Sequence, residues 1–218
     1  MPTSNHFHLP AVLEFAKAVA PRRILDAGVG MGTYGYTLRL ACDVIPGRLE
    51  RSAWQTRIEG IEIFPAYRNP IWDYYYDQVH IGDIRSVLPG LGRFDLITCI
   101  DVLEHFPREE ARAIIRQCLD QATVLIATTP NIDWPQGAVH GNEAETHHCQ
   151  LDAADFAFLQ TSVVTGDTTC FVCTRDEEVG RRLRRARLKL PTIRRAWWVS
   201  PALKLRSKWL RWRRGPQP

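Results

Sequence analysis

The sequence predicts an α/β fold: an open, mostly parallel sheet with helices on both faces. Three observations carry this. Short apolar runs alternate with amphipathic stretches from residue 9 to about residue 175. The runs at 94–100 and 123–128 are nearly continuous in apolar residues, as strands covered on both faces are. A glycine-rich stretch follows the first run and opens a helix.

The elements follow in order. Leu9, Val12, Leu13, Ala16 and Val19 have helical spacing, and Pro21 ends that helix. Residues 23–26 form a first strand, Gly28, Gly30 and Gly32 a tight turn, and residues 33–41 a helix. Further strands are expected at 57–63, at 78–81 (followed by Gly82-Asp83-Ile84), at 94–100 and at 123–128, with an amphipathic helix at 109–119. A polar loop over 131–150 leads to a short helix at 152–159. Strands at 162–165 and 169–174 then close around Gly166-Asp167 as an antiparallel hairpin. Right-handed crossovers join the parallel strands.

The composition, 45% apolar and 24% charged over 218 residues, is that of a globular protein and argues against disorder. The six cysteines lie mostly in apolar runs and suggest no disulfide framework. Cys170 and Cys173, three apart on a strand, face opposite sides, so no metal site is expected there. With neither a signal peptide nor a membrane-spanning run, the expectation is a soluble cytoplasmic protein.

Charge divides the chain. Residues 176–218 hold 14 of the 28 Lys and Arg but three of the 24 acids, a net +11, which leaves −7 on the rest. This predicts a domain over 1–175 and a basic, Trp-rich amphipathic tail over 176–218. Ala202, Leu205, Trp209 and Trp212 would share one helical face among cations. Such a face suits peripheral contact with a membrane surface through residues 181–214, at the inner face of the membrane. RNA binding and packing on the domain are the rival readings.

Ligands of open α/β sheets bind at the carboxyl ends of the strands. Here those ends carry Asp26, Glu62, Asp83 and Asp101. Four acids make a poor home for a pyrophosphate. They suit a ligand bearing a sulfonium, an ammonium, ribose hydroxyls and an adenine amine. Gly28, Gly30 and Gly32 let the backbone approach that ligand, and the helix after them meets its carboxylate. Asp26 would serve the methionine amine, Glu62 the ribose and Asp83 the adenine amine, with Ile63 and Ile84 flanking the ring. Ile100 and Asp101 complete the set. Gly30–Gly35 also matches the weak dinucleotide pattern G-x-G-x-x-G. Against that rival, Asp26 stands where a pyrophosphate would lie, and Glu62 comes too late for the usual ribose acid.

Ile24-Leu-Asp-Ala-Gly-Val-Gly-Met-Gly32, Gly60-Ile-Glu62, Gly82-Asp83-Ile84 and the stretch from Phe94 to His105 resemble, in order and spacing, the motifs of class I S-adenosylmethionine-dependent methyltransferases. The resemblance covers roughly residues 9–175. It implies S-adenosyl-L-methionine as cofactor and a Rossmann-like seven-stranded sheet in the order 3-2-1-4-5-7-6. Base-modifying amino methyltransferases resemble one another by an Asn/Asp-Pro-Pro-Tyr/Phe turn after strand four. Cys99-Ile-Asp-Val102 stands in its place. Asp101-Val-Leu-Glu-His105 is typical of the small-molecule type, with His105 on the first turn of the following helix, near the cofactor, and read mainly as structural.

The loop Gly141-Asn-Glu-Ala-Glu-Thr-His-His-Cys149 is similar to a Gly-Asn-x-x-Glu-x-His-x-Ser pattern of a bacterial branch associated with polysaccharide and glycolipid biosynthesis. Asn142, Glu145 and His147 match. Cys149 replaces the serine, and Leu151 stands where an aromatic is usual. His147 is the expected base for an acceptor hydroxyl and Glu145 its orienting carboxylate. Asn142 and His148 are the expected acceptor contacts. The reading is O-methylation of a sugar, glycolipid or other small molecule. RNA methylation and a non-catalytic cofactor-binding partner are the alternatives. A metal site built from His140, His147 and His148 is also open.

Overall fold

The computed structural model describes residues 6–190. Its elements are α1 (Leu9–Val19), β1 (Arg23–Ala27), α2 (Thr33–Arg39), β2 (Arg57–Glu62), α3 (Pro70–Tyr75), β3 (Gln78–Ile81), α4 (Ile84–Val87), β4 (Phe94–Ile100), α5 (Arg108–Gln121), β5 (Ala122–Pro130), β6 (Leu159–Thr165), β7 (Thr168–Cys173) and α6 (Glu177–Lys189). The seven strands form one sheet in the order β3-β2-β1-β4-β5-β7-β6. The pairs from β3 to β5 are parallel, while β7 runs antiparallel to both β5 and β6.

Both faces are covered, as the unbroken apolar runs require. On one face Phe15, Leu38, Trp72 and Tyr76 bury β1 and β4 beneath α1, α2, α3 and α6. On the other, Ile84, Ile114, Ile115 and Phe171 belong to a second core under α4 and α5. Parallel register is pinned at the N-terminal edge: one Asp95 oxygen accepts from the backbone N–H of Arg22 (2.7 Å) and of Arg23 (2.9 Å), tying β1 to β4.

Three expectations shift. The helix expected at 152–159 is one 3-10 turn, Ala153–Asp155, closed by a reciprocal Asp152–Asp155 cap. The chain then enters β6 at Leu159, where pairing with Cys173 overrides local preference. The helix after the glycines ends at Arg39 and widens into a π turn, Leu40–Val44. His105 lies in its own 3-10 turn, Leu103–His105, ahead of α5 rather than in its first turn.

The basic segment read as a tail starts as α6. Val179, Leu183, Ala186 and Leu190 are buried, while Arg181, Arg182, Arg184 and Arg185 face outward. Arg184 reaches Gln160, and Arg187 donates to the Ser162 carbonyl. So α6 runs along β6 in the same sense and ends toward the carboxyl ends of the parallel strands. The expected amphipathic face at Ala202–Trp212 lies outside the described residues. No helix among the described residues is long and apolar enough to cross a membrane.

Candidate active site

A cavity of about 1170 Å³ opens at the carboxyl ends of β1, β2, β3 and β4. Its wall includes Gly28, Gly30, Glu62, Ile63, Asp83, Ile84, Ile100 and Asp101, and also Asn142, Glu145, His147 and His148 from the loop after β5. Two groups of residues far apart in sequence thus share one chamber.

The glycine loop is held open by its neighbours. Gly28, Gly30 and Gly32 have φ of 87°, 52° and 85°, a region that disfavours a Cβ. A Cβ on Gly28 would come within 2.3 Å of the Val102 side chain. The Gly30 N–H donates to Glu62 Oε2 at 2.8 Å, and the Trp72 indole N–H donates to the Gly30 carbonyl at 2.9 Å. Glu62 Oε1 accepts from the Phe64 N–H at 2.9 Å. Burial pushes the Glu62 carboxyl up, against the pull of these backbone donors.

Asp26 and Gly32 are not part of the cavity wall. Asp26 is buried under the loop, where it accepts from the Tyr76 hydroxyl at 2.5 Å and the Thr98 hydroxyl at 2.8 Å. Burial raises its pKa to about 6 despite these donors. Tyr76 also takes the Gly35 N–H at 3.0 Å, so Asp26 anchors the first turn of α2 through Tyr76. The expected service of Asp26 to the methionine amine, directly or through water, is not made from the cavity wall: its carboxylate supports the loop from beneath.

Asp83 caps α4 and accepts from Arg85, which holds its carboxyl below the usual range. Arg85 bridges on to Glu110 and lies over the Phe106 ring. Asp101 sits at the end of β4 with φ 52°, and its Oδ1 accepts from the Thr128 hydroxyl at 2.5 Å.

In the acceptor loop, Asn142 is buried and donates to the Tyr67 hydroxyl at 3.3 Å, and Tyr67 donates to Glu145 at 3.1 Å. The expected Glu145–His147 pairing is not what holds the imidazole. His147 Nδ1 lies 2.7 Å from the Trp134 carbonyl. A carbonyl only accepts, so Nδ1 carries the proton and Nε2 keeps its lone pair. The His147 ring meets His105 edge-on at 4.9 Å, and His105 in turn bonds the Thr146 carbonyl at 3.3 Å. Burial, then His147, depresses the His105 pKa. His140 does not join a metal cluster: among the described residues no three His, Cys, Asp or Glu side chains converge to hold an ion.

Sequence reasoning missed Glu104 and Tyr34. Glu104 is 1% exposed and lines the cavity, and neither carboxylate oxygen has a hydrogen-bond partner. Burial, then Asp101, drives its pKa well up. Its main-chain carbonyl accepts from His148 at 2.8 Å and Cys149 at 3.3 Å, tying the acceptor loop to the end of β4. The Tyr34 hydroxyl is likewise buried without a partner in the cavity wall. Buried polar groups of this kind call for a polar ligand.

Open glycines, acids at the strand ends and orphaned polar groups fit a cationic, nucleoside-bearing donor. They fit a pyrophosphate poorly, since Arg85 is already paired with Asp83 and Glu110. A family model described as a methyltransferase domain matches residues 6–192. The chain belongs to that methyltransferase family. It is of class I, and its methyl donor is S-adenosylmethionine. Curated relatives are the ubiquinone biosynthesis O-methyltransferases of Bordetella parapertussis and Bordetella bronchiseptica, each 26% identical over 116 residues. The match takes in 52% of this chain and 44% of theirs, so the chain spans less than half the length of the curated relatives it matches. Among solved structures, magnesium protoporphyrin IX methyltransferase (ChlM) from Synechocystis PCC 6803 with bound SAH (S-adenosylhomocysteine) is 17% identical, with a TM-score of 0.54 over 77% of this chain and 82% of that one. The N-terminal domain of EvdMO1, in the presence of SAH and D-fucose, is 15% identical, with a TM-score of 0.52 over 78% and 82%. At these identities the structural likeness speaks for the fold.

Proposed function

We propose that this methyltransferase transfers the methyl group to a hydroxyl of a sugar, glycolipid or other small molecule. The observation that carries the reading is the shared chamber, in which Glu62, Asp83, Asp101 and His147 with its Nε2 lone pair line one cavity. S-adenosylmethionine, when bound, supplies an electrophilic methyl on a sulfonium. Glu62 orients the ribose with the lone pairs its backbone donors leave open. Asp83 receives the adenine amine, and Ile63 and Ile84 flank the ring. Asp101, at the end of β4 and in the cavity wall, borders the sulfonium end.

His147 Nε2 takes the proton of the attacking hydroxyl. The Trp134 carbonyl holds the ring in the correct tautomer and stabilises its cationic form. Asn142 shapes the acceptor side through Tyr67, and His148 contacts the acceptor. In-line alignment of oxygen, methyl and sulfur supplies much of the rate. The outward arginines of α6, on the segment 181–214, meet an anionic membrane surface that carries a lipid-linked acceptor.

The test is methyl transfer from labelled S-adenosylmethionine to cell-envelope extracts and, separately, to total RNA. Label should enter an envelope component. His147→Ala should cut that rate by roughly 10²- to 10⁴-fold. Label in RNA, or an undiminished rate in His147→Ala, contradicts the reading.

A further inference from the structure

His8 lies 157 residues from Thr165, yet the fold buries it completely between the β6–β7 turn and the end of β4. Its Nδ1 is 2.7 Å from the Thr165 hydroxyl and 3.2 Å from the Thr168 hydroxyl. Thr168 has one hydroxyl hydrogen and gives it to the Thr165 carbonyl at 3.0 Å. The Thr165 hydroxyl is then the donor left for the ring, and where it donates, Nδ1 is the acceptor. In a neutral imidazole the proton then sits on Nε2.

Among the described residues Nε2 has no hydrogen-bond partner, and it lies 3.5 Å from Asp101 Oδ1. The opposite tautomer would aim a lone pair at a carboxylate. Asp101 also needs holding. Its φ of 52° is a left-handed conformation that residues other than glycine seldom adopt. Thr128 grips one side of it: its hydroxyl donates to Oδ1, and its Oγ1 accepts from the Asp101 N–H at 3.0 Å.

We propose that His8 is a positioning residue of the methyl-transfer site. Its Nε2–H steadies the Asp101 carboxylate, so that the carboxylate faces the sulfonium end of the donor. It rests on the placement of Asp101 beside the sulfonium under the proposed function. His8 is also the N-terminal cap of α1, two residues after His6, which lines the cavity. The same contact therefore ties residues 6–8 over the reaction centre, and the β6–β7 turn is a second anchor.

Two substitutions separate this role from simple packing. His8→Gln keeps an N–H donor at about the depth of Nε2. His8→Asn keeps a polar group at the depth of Nδ1, able to bond the threonines but out of reach of Asp101. The readout is calorimetric affinity for S-adenosylmethionine and for S-adenosylhomocysteine, which lacks the methyl and its positive charge. In His8→Asn the ratio of the two dissociation constants should shift about tenfold against S-adenosylmethionine. In His8→Gln it should stay within about twofold of the unsubstituted protein.

Equal weakening toward both ligands in His8→Asn, or loss in His8→Gln with retention in His8→Asn, overturns the proposal in favour of packing. If neither ligand binds the unsubstituted protein, the donor reading itself fails. Nitrogen-15 NMR of the unsubstituted protein needs neither variant: the His8 ring should show the Nε2–H tautomer, and an Nδ1–H ring overturns the proposal.

Discussion

Asp26 is the residue at which position and environment part company. Its place at the end of β1 was legible, because the strand period and the following glycines mark where the sheet ends. Its partner was not: Tyr76, the residue that ends α3, lies 50 residues away, and no local pattern announces a buried hydroxyl. Burial raises the Asp26 pKa from 3.8 to about 6. The folded state thus keeps a proton that the unfolded chain releases between those values. The stability linked to it is complete below about pH 4 and is lost as pH rises through 6. Asp26→Asn, which cannot ionise, should flatten the fall in melting temperature between pH 4 and 7, worth roughly 3 kcal/mol at its full extent. An unchanged pH profile in that variant would show that Asp26 titrates normally. Glu62, Ile63, Asp83, Ile84, Ile100 and Asp101 line the cavity for the same reason, namely that strand ends converge there. Glu145 was not read correctly as the partner of His147, since a loop offers no period from which to read side-chain direction.

At the scale of elements, the strands were legible to within a few residues, because both-face burial leaves continuous apolar runs. The segment at 152–159 misled because its polar start and apolar end fit a helix as well as a turn entering a strand. The basic segment holds the larger lesson. Its charge drew attention to solvent or membrane, while Val179, Leu183, Ala186 and Leu190, spaced four, three and four apart, are a core-facing stripe. That stripe packs on the same core as Phe15 and Val172. Leu183→Ala should therefore cost about 2–5 kcal/mol in denaturant unfolding, whereas Arg182→Ala on the outward face should change stability by less than about 0.5 kcal/mol. A Leu183→Ala protein as stable as the unsubstituted one would mean that α6 does not belong to the domain in solution.

For the whole molecule, sheet order and site are one fact. The crossing from β1 to β4 sets two strand ends side by side, and the reversed β7 brings the Thr165–Thr168 turn and the loop after β5 to the same rim. The chamber that results pairs donor-binding acids with an imidazole whose free nitrogen is defined by the Trp134 carbonyl. The acceptor is the part least legible in the chain, because recognition rests on loop side chains with no repeating geometry. The donor is the most legible, and the central claim stands on it. The direct measurement is thermal unfolding with S-adenosylmethionine, S-adenosylhomocysteine, NAD and NADP, each at about 100 times a micromolar dissociation constant. Both adenosyl compounds should stabilise the fold by about 2.7 kcal/mol at that ratio, a rise of several degrees, and the dinucleotides should leave it unmoved. Stabilisation by a dinucleotide with none from S-adenosylmethionine would contradict the account.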